Sequence, residues 1–282
     1  MAIIYPIFLA ELYLPTYADT HWHNSGMDSP EWCSNRQHYF SYPHKVEYCY
    51  NSRGFRDAEW PDDLADVIWC VGDSFTVGLG SPREHTWPYI LQQRLGRRTI
   101  NLSLDGASNN WIARIGSAIL AEFPNAVIVT QWSFLHRREL SPEASVQRGF
   151  PEFYKAVADH SWPPCNNLDD FKELPECIQQ EIKQLHKYPD WLTTSEMRRV
   201  YYINSTTEED VVNTQFCIQQ LQGNVVHSAI PNWAPRGIDL NYDNIILTKQ
   251  LDRARDGFHY DILTSNSLID QIIPALASNA RY

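Results

Sequence analysis

Five short segments interrupt an otherwise mixed pattern of apolar and polar positions. Val67-Ile68-Trp69-Cys70-Val71 is a continuous apolar run of strand length, as expected for a strand covered on both faces of a parallel sheet. Thr99-Ile100-Asn101-Leu102, Ala126-Val127-Ile128-Val129-Thr130 and Val225-Val226-His227-Ser228-Ala229-Ile230 also read as strands, and Asp243 to Thr248 is a weaker fifth. Between them the period changes. Trp87, Ile90, Leu91 and Leu95 recur at helical spacing within Pro82 to Leu95, with Gly96 as a stop. Helices are also expected over Asn109 to Phe123 and Thr207 to Leu221. Strands alternating with helices imply a parallel sheet between helical layers.

Two stretches fall outside this alternation. Residues 1–66 are expected to be an N-terminal extension packed on the core; within it Tyr17 to Tyr50 is dense in aromatics, His and Pro, irregular in period, and a candidate lining for a substrate groove. Met1 to Glu11 is apolar but short and broken by Pro6, so it reads as a buried strand or docked segment rather than a signal peptide. The core domain then covers 67–282, with a helical insertion over about 141–222, too long for a simple crossover. Helical patterns appear there at Glu152 to His160 and Leu168 to His186. The insertion reads equally as a cap over a site or as a stabilising layer, and its Trp162, Trp191, Tyr201 and Tyr202 as sugar-stacking rings or as core.

Composition narrows the classes. With 282 residues, 43% hydrophobic and 13% aromatic, the chain can bury a sizeable core. A formal charge of −11 argues against a nucleic-acid partner, which requires a basic face. No run approaches the roughly 18 apolar residues of a membrane span, so no membrane partner is expected. Protein partners are left undefined. Gly78-Leu79-Gly80 lacks the final glycine of a dinucleotide fingerprint because Arg83 stands there, and no phosphate-loop lysine follows.

The chemistry lies in two distant motifs. Gly72-Asp73-Ser74-Phe75 closes the first apolar run, where open α/β sheets place ligand sites. Taken alone, Asp73-Ser74 reads equally as a helix cap. Asp256-Gly257-Phe258-His259 adds a carboxylate and an imidazole three residues apart, placed to face the same way on a turn. A serine becomes nucleophilic when an imidazole takes its proton and a buried carboxylate fixes that imidazole's tautomer. Ser74, His259 and Asp256 supply those three parts, and the missing second glycine excludes the Gly-x-Ser-x-Gly elbow.

These residues resemble the SGNH (GDSL-like) hydrolases, a family of lipases, carbohydrate esterases and thioesterases. Gly72-Asp73-Ser74 resembles the first block, Asn101-Leu102-Ser103-Leu104-Asp105-Gly106 the second and Asp256-Gly257-Phe258-His259 the fifth; Asn51-Ser52-Arg53-Gly54-Phe55-Arg56 resembles a segment found before the first block in some members. The resemblance implies a three-layer α/β/α sandwich with a flavodoxin-like five-stranded parallel sheet of order 2-1-3-4-5, and a Ser-His-Asp esterase needing no metal or organic cofactor. It assigns oxyanion donors to the Ser74 and Gly106 backbone N–H groups. The third block departs: where the family has Gly-x-Asn-Asp, this chain has Gln131-Trp132-Ser133-Phe134. Strand-end alignment puts Ser133 in the asparagine's place, with Asn109 as another amide for the hole and Gln131 and Arg137 as candidate substrate-binding groups. Losing one such donor lowers turnover by about 10²–10³-fold. The expected substrate is a small acyl ester of a carbohydrate or similar molecule. An acyltransferase, or a non-catalytic binding or structural protein, are the alternatives. Members occur in bacteria and their viruses, so a cytoplasmic or virion-associated protein is expected.

His21-Trp22-His23 with Cys33 offers zinc ligand types, but the spacing matches no structural zinc pattern and a fourth ligand is missing, so no metal is assigned. The six cysteines are expected to be reduced. Spacing leaves Cys33 with Cys49 and Cys165 with Cys177 open as pairs. Arg53 and Arg56 read as structural ion pairs or as holders of an anionic substrate group.

Overall fold

The computed structural model describes residues 12–135, 137, 207–233 and 244–279. In chain order the strands are β1 (His21–Trp22), β2 (Tyr48–Cys49), β3 (Ile68–Gly72), β4 (Thr99–Ser103), β5 (Val127–Trp132), β6 (Val225–Ala229) and β7 (Ile245–Leu247). The helices are α1 (Arg36–Ser41), α2 (Ser74–Val77), α3 (Trp87–Leu95), α4 (Asn109–Glu122), α5 (Thr207–Gln219) and α6 (Ile262–Asn279). Strands β3 to β7 form one parallel sheet in the spatial order β4-β3-β5-β6-β7. That is the expected 2-1-3-4-5 order, and the fold is a three-layer α/β/α sandwich. Apart from it, β1 and β2 pair antiparallel.

The chain direction explains the layers. From β3 it steps to one side through α3 to β4, then back across β3 through α4 to β5. Right-handed crossovers in opposite directions put their helices on opposite faces. Accordingly α3 packs with α6, and α4 with α5. Every residue of β3 and β4 is buried, so the apolar runs reflect cover on both sides. Trp69 lies stacked on Phe123 at 6.0 Å and edge-on to Trp60 at 5.7 Å. Full burial of such side chains contributes roughly 1.5–3 kcal/mol each.

Element ends follow local chemistry. Ser108 caps α4 by accepting from the Trp111 N–H, and Gly96 ends α3 with its N–H on the Gln92 carbonyl. The helix expected from Pro82 is divided: Arg83–His85 form a separate 3-10 turn, and α3 starts at Trp87. The C-terminal helix α6 had no counterpart among the expected elements. The described part of the insertion supplies α5, whereas Met1 to Glu11, the helical patterns at 152–160 and 168–186, and Trp162, Trp191, Tyr201 and Tyr202 lie outside the described residues.

The extension is built into the core. Leu12, Leu14 and Phe55 belong to the same buried cluster as the sheet. Asn51 folds the Asn51–Arg56 turn by accepting from the Arg53 and Phe55 N–H groups at 3.0 Å each. Gly54 sits at φ +86, and a Cβ there would lie 2.3 Å from the Leu14 carbonyl oxygen, so glycine is required. Cys33 and Cys49 are free thiols and are not paired; Cys165 and Cys177 lie outside the described residues. Among the described residues no helix is long and apolar enough to cross a membrane.

Candidate active site

The first half of the site is the junction of β3 and α2. Helix α2 has four residues, far below the length at which a helix holds itself together. It is fixed from outside at both ends. Asp73 accepts from the Phe75 N–H at its start. At its finish, Asn101 donates to the Thr76 carbonyl at 3.1 Å, and Arg56 donates to the Val77 and Gly78 carbonyls at 3.1 and 2.6 Å. Arg56 also reaches the Glu47 and Ser81 carbonyls and lies over the Tyr48 ring. Its hydrogen-bond acceptors among the described residues are main-chain oxygens, in place of the expected ion pair. Arg53 lies over the Trp60 ring at 4.3 Å.

Ser74 opens α2 and is 3% exposed. Its Oγ lies 2.8 Å from His259 Nε2. The other ring nitrogen, Nδ1, makes a short hydrogen bond to Asp256 Oδ2. Asp256 Oδ1 accepts from the Phe258 and His259 N–H groups at 2.9 and 3.0 Å. Burial pushes the Asp256 carboxyl up, but the charge and hydrogen bond of His259, with those two N–H groups, outweigh it and hold the carboxyl below its ordinary value. Burial pulls His259 down, and the Asp256 carboxylate overrides that, so the imidazole titrates above its ordinary value. The structure thus brings Ser74, His259 and Asp256 into one hydrogen-bonded line.

The Asp256–His259 segment is a loop held by distant groups. Gly257 takes φ +75, and a Cβ on it would meet Ser34 Oγ at 2.8 Å. Ser34 donates to the Asp256 carbonyl through its N–H at 2.8 Å and its hydroxyl at 3.0 Å. His38 Nε2 lies 2.9 Å from the Ala254 carbonyl oxygen. Arg255 grips the fully buried Asp28 with two donors, at 2.9 and 2.6 Å, and gives a third bond to the His23 carbonyl. None of these extension residues was anticipated, because irregular structure leaves no periodic signal to mark which side chains turn inward.

The third-block positions have other partners than those the alignment offered. Ser133 Oγ donates to Asp73 Oδ2 at 2.6 Å, and Arg137 Nη1 donates to both of them, at 2.8 Å to Asp73 and 2.9 Å to Ser133. Burial raises the Asp73 carboxyl above its ordinary value, against the opposing pull of the Arg137 guanidinium and the Ser133 hydroxyl. Asn109 donates to the Ser133 carbonyl and to Thr214 Oγ1, and accepts the Ser133 N–H at 2.8 Å. Gln131 accepts from Thr76 and Tyr260 at 3.0 Å each and donates towards Thr248. Ser133, Asn109 and Gln131 are fully buried, and Arg137 is 8% exposed. These four side chains are engaged with one another and with neighbouring groups inside the protein.

Gly106 follows β4, whose neighbour Leu104 donates its N–H to the Gly72 carbonyl, two residues before the serine. Among the described residues neither the Ser74 nor the Gly106 N–H has a backbone acceptor. A ring cluster also surrounds the imidazole: Phe75 at 4.5 Å and Phe258 at 5.1 Å, with Phe134 6.4 Å beyond Phe75. Phe75 and Phe258 adjoin the motif residues in sequence, and that adjacency was the available signal.

No family model matches the chain, and no curated protein does. Three solved structures are similar to it at low identity. TesA is 16% identical over 74% of this chain and 97% of its own, with a TM-score of 0.31. A protein of Bacteroides ovatus ATCC 8483, proposed to be a GDSL-like lipase, is 12% identical over 77% of this chain, with a TM-score of 0.35; this chain spans about half of it, 54%. A carbohydrate esterase family 2 enzyme with a carbohydrate binding domain, from Corynascus thermopiles (Myceliophthora fergusii), is 10% identical over 84% of this chain and 71% of its own, with a TM-score of 0.32. All three likenesses are weak, and the site's own geometry carries the chemistry.

Proposed function

We propose that this protein is a serine esterase that removes a small acyl group, acetyl in the first instance, from an alcohol such as a carbohydrate. The observation that carries this reading is the 2.8 Å contact between Ser74 Oγ and His259 Nε2, with Asp256 on the other ring nitrogen. His259 takes the hydroxyl proton as Ser74 Oγ bonds to the ester carbonyl carbon. The Ser74 and Gly106 N–H groups receive the negative charge that forms on the carbonyl oxygen. His259 then hands its proton to the leaving alkoxide as the ester C–O bond breaks, giving the alcohol and an acyl-serine. Water, deprotonated by His259, attacks that acyl group. The carboxylic acid leaves, and Ser74 recovers its proton.

The ring cluster beside the near-completely buried Ser74 and His259 supports a small, apolar acyl group. The family resemblance, rather than geometry, points to a carbohydrate as the alcohol. Purified protein should hydrolyse p-nitrophenyl acetate faster than longer-chain esters. Ser74→Ala should lower turnover by about 10⁴-fold or more, and a fluorophosphonate should label Ser74 in the unaltered chain. Unchanged turnover in the alanine variant would overturn the assignment.

A further inference from the structure

A second constellation lies away from Ser74, on the antiparallel ribbon of β1 and β2. The register pairs His21 with Cys49 and Trp22 with Tyr48, and one further step sets His23 opposite Glu47. Side chains alternate between the faces of a ribbon. His21, His23, Glu47 and Cys49 therefore share one face. Tyr48 lies on the other, buried, with its hydroxyl on Asp28 and the Gly80 N–H. Two imidazoles and a carboxylate converge on this exposed face, and Cys49 stands on the same face opposite His21.

The side chains are already close. His21 Nε2 lies 3.5 Å from Glu47 Oε1, His23 Nδ1 lies 3.8 Å from the same oxygen, and the three ligand atoms fall within 4.8 Å of one another. Tetrahedral zinc, with bonds of about 2.0–2.1 Å, needs its ligand atoms about 3.3 Å apart. Small side-chain rotations cover that difference. Cys33, the thiol first considered with these histidines, instead has its Sγ 3.8 Å from the Pro30 carbonyl oxygen.

The backbone beneath the ligands is held. Arg56, fixed in the core, donates to the Glu47 carbonyl at 2.7 Å, and Arg255 donates to the His23 carbonyl at 2.7 Å. Tyr50 closes the ribbon with its N–H on the Thr20 carbonyl. Ligand-bearing residues with fixed main chains lose less freedom on binding an ion. Lys45 Nζ now sits 2.7 Å from Glu47 Oε1, and its exposed side chain is free to swing away. A divalent ion would replace the ammonium and gain two imidazole bonds.

We propose that this face of the ribbon binds a divalent transition-metal ion of the kind that favours imidazole, Zn²⁺ above others, through His21, His23 and Glu47, with the Cys49 thiolate as fourth ligand. The Glu47 carboxylate and the Cys49 thiolate would balance the ion's charge, the thiol releasing its proton on binding. The site stands apart from Ser74 and does not depend on the esterase reading.

Zn²⁺ titrated by calorimetry into chelator-treated, full-length protein should show a site that the His21→Ala, His23→Ala double variant binds at least tenfold more weakly. Lys45→Met should tighten it severalfold by removing the competing ammonium. With Co²⁺ as the probe, the unaltered protein should show sulfur-to-cobalt charge-transfer absorption that Cys49→Ser abolishes. All four positions are exposed or half-buried, so the variants keep the fold, which circular dichroism verifies. Absence of Zn²⁺ binding, or equal affinity in the double variant, would overturn the site. Persistence of the cobalt band in Cys49→Ser would overturn the thiolate assignment.

Discussion

The two halves of the Ser74 site are held in opposite ways. The serine half grows out of the sheet: β3 ends at Gly72, Asp73 is fully buried, and the ends of α2 are bonded by groups from β4 and the Asn51–Arg56 turn. The imidazole half is a glycine-containing loop with no sheet beneath it, and Ser34, His38 and Asp28 of the extension hold it in place. The serine is held by sheet packing with one clamp from the extension, Arg56. The imidazole, arriving from far along the chain, takes three ties from the extension, through Ser34, His38 and Asp28.

The sharpest break in this comparison comes from Asp256→Asn. It keeps the loop but loses the carboxylate that sets the imidazole tautomer, and kcat should fall about 10⁴-fold. The same variant tests the titration of His259. The imidazole accepts the serine proton only when neutral, and Asp256 raises its pKa above the ordinary value of about 6.5. In the unaltered protein kcat/KM should therefore rise with pH through a midpoint above about 6.5. In Asp256→Asn burial is opposed only by the weaker pull of Asp105 and Asp73, so the midpoint should move down. A midpoint that does not move would separate the pair.

Arg137→Met addresses the sheet-borne half. It strands the Asp73 charge in the interior, and loss of one partner from such a pair costs about 3–5 kcal/mol. Urea unfolding should show that loss, and adding Asp73→Asn should recover much of it. Asp28→Asn addresses the loop-borne half. It weakens the two-pronged grip on Arg255, and kcat should drop by up to about 10²-fold with KM little changed, because small misplacements of catalytic groups have effects of that size. Equal falls in kcat and thermal stability for both variants would erase the distinction between the halves.

Much of the core was legible because burial on both faces writes itself into sequence as unbroken apolar runs. The run at Val67 to Val71 became Ile68–Gly72, and that at Val225 to Ile230 became Val225–Ala229. The strand order came from resemblance and agreed. Helix α6 was not among the expected elements, although Leu268, Ile269 and Ile272 recur at helical spacing. In the site, Ser74, Asp256 and His259 were readable from motif chemistry. The protein partners of Gln131, Ser133 and Arg137 were not readable, because alignment shows what a position replaces but not what it touches. Their partners, Tyr260 and Asp73, lie on other elements. The ties of the extension were illegible for a related reason: single hydrogen bonds between irregular segments leave no periodicity.

The bonds from Asp28 to Arg255 and from Ser34 to Asp256 join positions 227 and 222 residues apart. A ribosome adding about 5–20 residues per second emits the first of each pair roughly 10–45 s before the second. Ser74 itself precedes His259 by 185 residues, so for roughly 9–37 s the nascent polypeptide carries its serine as an ordinary hydroxyl, without a base to activate it. A product cut off before Asp256 would lack both the imidazole and its carboxylate.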